Sequence, residues 1–246
     1  FLRGDKIKLG RNAAPTRPQE TTFDQRGPTS VYKFEDSHIF SSSFFATALV
    51  SYVDGGFSFT PQGGATPYAY RSPDGVNHGT YFFYDTFRPQ TQIAGNASAF
   101  ARTGSAGHEL KVGFSYRTAP VSSATVWPHG TRAIERTPAG NGASRSYVRA
   151  YRTGAVRYDT EFFSGYLSDT LTFKDLTIKV GARYDQQQGH NRASTSTANA
   201  SFPDIIPAIS QTEDGEPFQW KNVSPRVGLP YAVGPDQSKT LLRASY

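Results

Sequence analysis

Asp159 and Glu161, in "RYDTEFF", stand two residues apart. On a strand they would share a face, as two carboxylates must to act as acid and base across a glycosidic bond. Polar lining or pairing across a ladder needs no more than the same alternation, and nothing else catalytic accompanies the pair. His38, His78, His108, His129 and His190 lie apart in the chain, without an HExxH or an i, i+4 pair to hold a metal, and read as solvated side chains. Serines are frequent, yet no GxSxG elbow occurs, nor GxxxxGK[ST], nor a convincing GxGxxG. "RGD" at Arg3–Asp5 is three common residues in a row. The expectation is a protein that is not an enzyme and holds neither metal nor cofactor.

Charge set against apolar residues is the stronger pattern. In "HELKVGFSYRTAPVSSATVW", Leu110, Val112, Phe114 and Tyr116 take one parity, and Lys111, Gly113, Ser115 and Arg117 the other. "TIKVGARYD" repeats this, with Ile178, Val180, Ala182 and Tyr184 against Lys179, Gly181, Arg183 and Asp185. In "VSPRVGLPYAV", Val227, Leu229 and Tyr231 oppose Ser224, Arg226 and Gly228, and Arg243 follows in the last strand. Side chains of a strand alternate between two faces, so each stretch has one apolar and one polar face. "FFATALV" and "EFFSGYL" offer apolar residues in both registers and leave their facing open.

Composition narrows the solvent of the apolar face. Phe (18) and Tyr (14) are abundant, yet mean hydropathy is −0.52, the balance of alternating strands joined by polar loops. No apolar run approaches the roughly 20 residues of a membrane helix. Cys is absent, which excludes a disulfide scaffold and a Cys-based zinc site. The formal charge is +6, but Lys and Arg are scattered, so no nucleic-acid partner is expected. "FLRGDKIKLG" has neither an apolar run nor a cleavage site, and both ends read as strand interior, as in an excerpt from a longer protein.

Strands are expected at Thr29–Ser37, Phe44–Thr60, Thr80–Thr103, from His108, at Tyr147–Phe173, Thr177–Gln188 and Trp220–Val233, and at both chain ends. Tight turns at Ser42, Gly104–Gly107, Lys174–Leu176 and Gly234–Ser238 alternate with long connections, including one from about Ser122 to Ser146. Pro225 and Pro230 imply a bend or a break in their strand. Soluble domains favour strands of about 5–6 residues and few loops beyond about 12–15. Outer-membrane barrels have long strands, tight periplasmic turns and long extracellular loops. The expected fold is all-β: an antiparallel meander of about eight or nine strands forming part of a large transmembrane barrel.

With "YKFEDSHIFSSSFFATALVSYVDGGFSFTPQGG", "HELKVGFSYRTAPVSSATVWP", "LTIKVGARYDQQQG" and "WKNVSPRVGL" in order, the chain resembles the β-barrel region of TonB-dependent outer-membrane receptors. It is most similar to the Oar-like subgroup, which carries a carboxypeptidase-regulatory-like domain before the plug. The resemblance implies a barrel of about 22 strands, of which residues 1–246 are a part without plug or N-terminal domains. It implies a Gram-negative outer-membrane location and coupling to the TonB–ExbB–ExbD system through the plug. It implies uptake of a scarce ligand, such as a siderophore, cobalamin, a glycan or a peptide, with no binding residue to carry over.

Facing then follows from cost, since Lys or Arg at the lipid midplane costs about 2–4 kcal/mol. Lys111, Arg117, Lys179, Arg183, Asp185, Arg226 and Arg243 are expected to face the lumen and favour an anionic ligand. Leu110, Val112, Phe114, Tyr116, Ile178, Val180, Tyr184, Val227, Leu229 and Tyr231 are expected to face lipid, near lipopolysaccharide. Tyr116, Tyr184, Trp220, Tyr231 and Tyr246 read as an interfacial girdle, although a carbohydrate-stacking platform would use the same residues. A plug-less porin-like or adhesive barrel is one alternative. The other is a secreted all-β glycan-binding sandwich, in which the apolar residues would be buried under a second sheet.

Overall fold

A computed structural model describes residues 1–136, 145–213, 215–235 and 240–245. Alternating residues form long strands, and Gly and Ser break them into an antiparallel meander. β1 (Leu2–Arg11) pairs β2 (Phe23–Ser41), which turns into β3 (Phe44–Pro61). The connection 62–82 carries β4 (Ala69–Arg71) and β5 (Asn77–His78) before the wall resumes as β6 (Phe83–Phe87) and β7 (Gln90–Thr103). β8 (Ala106–Thr118) and β9 (Val121–Val126) run back beside them, and the next connection holds β10 (Thr131–Arg136) and β11 (Arg145–Ala150). β12 (Gly154–Phe173) and β13 (Leu176–Asn191) form the next hairpin. β14 (Ser194–Ser196) and β15 (Ile209–Gln211) lie in the last long connection, followed by β16 (Phe218–Val233) and β17 (Thr240–Ser245).

The wall order β1-β2-β3-β6/β7-β8/β9-β12-β13-β16-β17 follows the sequence, every neighbouring pair antiparallel. Two-residue turns need a left-handed residue where the chain reverses: Gly104 has φ 62° and Lys174 φ 53°. The expected tight turn at Gly234–Ser238 falls largely on residues outside the description.

Several expected boundaries are corrected. The strand from Thr80 to Thr103 is interrupted at Arg88–Pro89, and the opening stretch is interrupted at Ala119–Pro120. The shared register places these breaks opposite each other, where two prolines lack the ladder N–H. Each broken strand stays bonded on its other side, through Arg88 N–H to Gly55 O (2.7 Å) and Ala119 N–H to Thr160 O (2.8 Å). Tyr147–Phe173 is not one strand, because Arg145–Ala150 leaves the wall. Nor is Ser122–Ser146 a plain loop: β9 continues the wall to Val126, and β10 follows. β16 passes Pro225 and Pro230 unbroken, although its ladder to β13 lapses between Lys179↔Gly228 and Leu176↔Tyr231, where Pro230 has no donor.

β11-β10-β4-β5 make a second, four-stranded sheet from the long connections. Its β4–β10 pair is parallel, Ala69 against Arg132, so it joins segments no hairpin could join. Few apolar side chains are enclosed anywhere. Among the described residues the buried hydrophobics are Phe23, Ala69 and Ile134. Among the described residues no second sheet packs over the apolar face of the wall, as the sandwich would require.

Candidate functional site: a two-faced wall and its loop cap

Directly paired residues of an antiparallel ladder lie on the same side of the sheet. Ile93, Tyr116, Phe163 and Gln186 form one row by this rule; Gly95, Phe114, Gly165, Tyr184 and Val223 form another. Ala97, Val112, Leu167, Ala182 and Pro225 form the third, then Ala99, Leu110, Asp169, Val180 and Val227. Ile178, Leu229 and Tyr231 continue the same parity, so the ten apolar candidates occupy one face. Val112 is 51% exposed, Leu167 60% and Val180 47%, far more open than a core position. The pairing also settles the two strands that sequence left open. Ala46, Ala48, Val50 and Tyr52 of β3 belong to the apolar face, as do Phe163, Gly165 and Leu167 of β12.

Lys111, Arg117, Lys179, Arg183, Asp185, Arg226 and Arg243 all fall on the opposite face. That face holds more acid than expected. Glu109 lies beside Lys111 (2.7 Å), Glu35 pairs with Lys33, and Asp185 accepts from Arg183 Nε through both oxygens at 2.9 Å. Among the described residues, Arg117, Lys179, Arg226 and Arg243 have no acidic partner. Arg117 instead lies 4.2 Å over the ring of Phe162, whose backbone pairs with it.

On this face, where β8, β12, β13 and β16 run side by side, is a recess of about 350 Å³. Gln92, Ser115, Arg117, Phe162, Phe163, Ser164, Arg183, Asp185, Gln186, Gln187, Trp220 and Asn222 line it. Trp220 pairs with Gln187, on the polar side, which corrects its expected place in an outward girdle. Parity alone could have shown this, since Trp220 matches Asn222, Ser224 and Arg226. Tyr116, Tyr184 and Tyr231 do lie on the apolar face; Tyr246 lies outside the description.

Polar side chains interrupt the apolar face at two levels. Near the tight turns, His108 Nδ1 meets Asp169 Oδ2 at 2.8 Å, within a row of Leu110 and Val180. Asp169 Oδ1 is buried without a hydrogen-bond partner. At the loop end, Asp159 and Glu161 share the face of Phe163 and Tyr116, not the polar face. Arg192 donates to Asp159 (2.7 Å) and to Glu213 (2.5 Å), and His190 lies 2.5 Å from Glu213. His108 and His190 are therefore not the isolated, solvated histidines that the sequence suggested. Among the described residues no group of three or more His, Asp or Glu is placed to hold a metal ion.

Hydrogen bonds from His190 first, then Arg192, hold the Glu213 carboxyl below its ordinary value of 4.5. A depressed carboxyl stabilises the fold above its unfolded value, and this contribution vanishes as pH falls through the depressed value. Protection of the amides around Ile209–Gln211, measured against their intrinsic exchange rates, should therefore fall as the medium is acidified below about pH 4.5, and Glu213→Gln should flatten that dependence. A pH response unchanged by the substitution would assign it elsewhere.

Above the wall, the long connections lock together. Asn199 is 1% exposed and uses its whole amide. Nδ2 donates to Gly130 O (2.6 Å) and Tyr151 O (2.8 Å), while Oδ1 accepts from Ser201 N–H and Phe202 N–H (2.9 Å each). Trp127 stacks on Tyr151 with centroids 3.7 Å apart, edged by Tyr81 and Phe82. Arg132 lies over Tyr81 and donates to its hydroxyl (2.7 Å) and to Asn77, whose N–H and side-chain amide donate to Thr16 O. Four connections thus form one body. Sequence gave no hint of it, because these partners are far apart and follow no period.

The chain matches the family described as TonB dependent receptor-like, beta-barrel, over residues 3–246. Its fold is similar to the ferric citrate transporter FecA, unliganded (TM-score 0.51, 14% identity, 85% of this chain and 26% of that one). It is also similar to the ferric-catecholate import receptor Fiu of E. coli K12 in its open form (TM-score 0.54, 15% identity, 85% and 33%). The siderophore receptor PiuA of Acinetobacter baumannii is comparable (TM-score 0.50, 12% identity, 87% and 33%). The chain spans a third or less of the length of these receptors. None of the curated proteins matches it. An antiparallel wall with one apolar and one polar face, matched along almost its whole length, places the chain in the TonB-dependent receptor β-barrel family of the Gram-negative outer membrane.

Proposed function

We propose that this wall serves an Oar-like receptor that takes up a scarce ligand of the siderophore, glycan or peptide class, with its apolar face against lipid and its polar face lining the lumen. The observation that carries the reading is the continuous apolar face, about half exposed at Val112, Leu167 and Val180, backed by charged residues on the other side. In lipid such a face is solvated by acyl chains, whereas the cations opposite need water. Tyr116 and Tyr184 then sit toward the outer interface, and Asp159, Glu161, Arg192 and Glu213 at the level of lipopolysaccharide headgroups. A plug with a TonB box, supplied by the rest of the receptor, would couple the lumen to TonB–ExbB–ExbD. Arg117, Lys179, Arg226 and Arg243 give that lumen a cationic surplus and favour ligands with negative charge.

The segment has no native Cys, so single-Cys scanning in the complete receptor, with any cysteine outside residues 1–246 replaced, reads the facing directly. Val180→Cys is expected to be shielded from a water-soluble thiol reagent in cells. Lys179→Cys and Arg226→Cys are expected to label through the lumen once the plug is removed. Equal labelling of both parities would overturn the assignment.

A further inference from the structure

The recess under Trp220 has a composition that selects among ligand classes. We propose that it is a subsite for one sugar ring bearing a carboxylate, a hexuronate unit of an acidic glycan; this rests on the polar face lining the lumen. Trp220 lines the recess from β16, its indole on the same face as Arg117. An aromatic plane with a few placed polar groups is the usual make-up of a small-molecule site, and about 350 Å³ lies at the lower end of the range for such sites. The side chains of Gln92, Gln187 and Asn222 each both donate and accept, which is what ring hydroxyls require.

Two charged features narrow the class. Arg117 is steadied over Phe162 at 4.2 Å and has no acidic partner among the described residues, so its guanidinium can take one carboxylate in a two-pronged bond. Asp185 lies in the same recess, already paired with Arg183 at 2.9 Å. Its carboxylate accepts from hydroxyls but repels a ligand carrying several negative oxygens, as a ferric chelate does. One cation free, one acid held in place and an indole in the lining suit a single-charge, hydroxyl-rich ring better than a multiply charged chelate.

Calorimetry on the complete receptor in detergent, with digalacturonate, its neutral disaccharide counterpart and ferric citrate as probes, tests the assignment. Digalacturonate is expected to bind more tightly than the neutral sugar, and Trp220→Ala to weaken it on the order of tenfold. Arg117→Met is expected to remove the preference for the acidic sugar, and ferric citrate not to compete. Gln187→Ala, a milder change, should weaken both sugars if Trp220→Ala disturbs folding. The proposal falls if wild-type receptor binds neither sugar, if Trp220→Ala and Gln187→Ala leave affinity unchanged, or if ferric citrate displaces digalacturonate. Thiol labelling at Lys179→Cys separates the two readings: labelling without sugar binding keeps the lumenal wall and rejects the sugar.

Discussion

Asn199→Leu is expected to release the long connections from one another while leaving the wall intact. Asn199 donates to Gly130 O and Tyr151 O and accepts from Ser201 and Phe202, and all four partners would lose their bond, the one to Gly130 buried and the other three part-buried. Leaving buried polar groups unpaired costs about 1–3 kcal/mol each, so a local loss of about 4 kcal/mol is expected even if some find water. Asn199→Asp should be nearly as damaging, because it turns a donor into a third oxygen facing two carbonyls. Gly130→Ala is expected to act at the same point: its φ is +64°, and a Cβ there would come 2.7 Å from the Asn199 amide. Protease added to whole cells should then cut within residues 192–217 in the variants far faster than in wild type. Gly104–Ser105, at the other end of the wall, should stay uncut in all of them. Unchanged protection of 192–217 would mean that other contacts hold the cap.

His108→Leu has the second large expected effect. If the apolar face meets lipid, as proposed, the substitution strands the Asp169 carboxylate, whose Oδ2 loses its partner at 2.8 Å and whose Oδ1 already has none. Breaking such a pair from one side costs more than replacing both members by apolar groups. Destabilisation of about 2 kcal/mol is expected for the single variant, below the range for fully buried pairs because both side chains are 23% exposed. The double variant His108→Leu/Asp169→Leu is expected to match or exceed wild type. Urea unfolding of the complete receptor in liposomes measures both. A neutral single variant would show that the pair contributes nothing, and a double variant as weak as the single would remove the lipid argument.

Glycines show how far local reading reaches. Gly95 could be recognised as a strand glycine, but not that the ring of Phe114, its direct partner, lies across it, 2.9 Å from where a Cβ would stand. Likewise Asp159 and Glu161 were legible as sharing a face, while the face itself followed only from their pairing with His190 and Gln188.

The sequence by itself determined the two-faced character of β8, β13 and β16, the separation of Lys111, Lys179 and Arg226 from Val112, Val180 and Val227, and the alternation of short and long connections. These follow from the pleat, a property of each strand alone, so a period of two is enough to read them. Tertiary structure alone decided the facing of β3 and β12, whose apolar residues fit either parity until Val112 and Ala97 stood beside them. It also set Trp220 with Arg117 in one recess, His108 against Asp169, and Asn199 between Gly130 and Tyr151. Each of those contacts joins residues from different strands or connections, and no local period encodes which distant backbone will arrive opposite a given side chain.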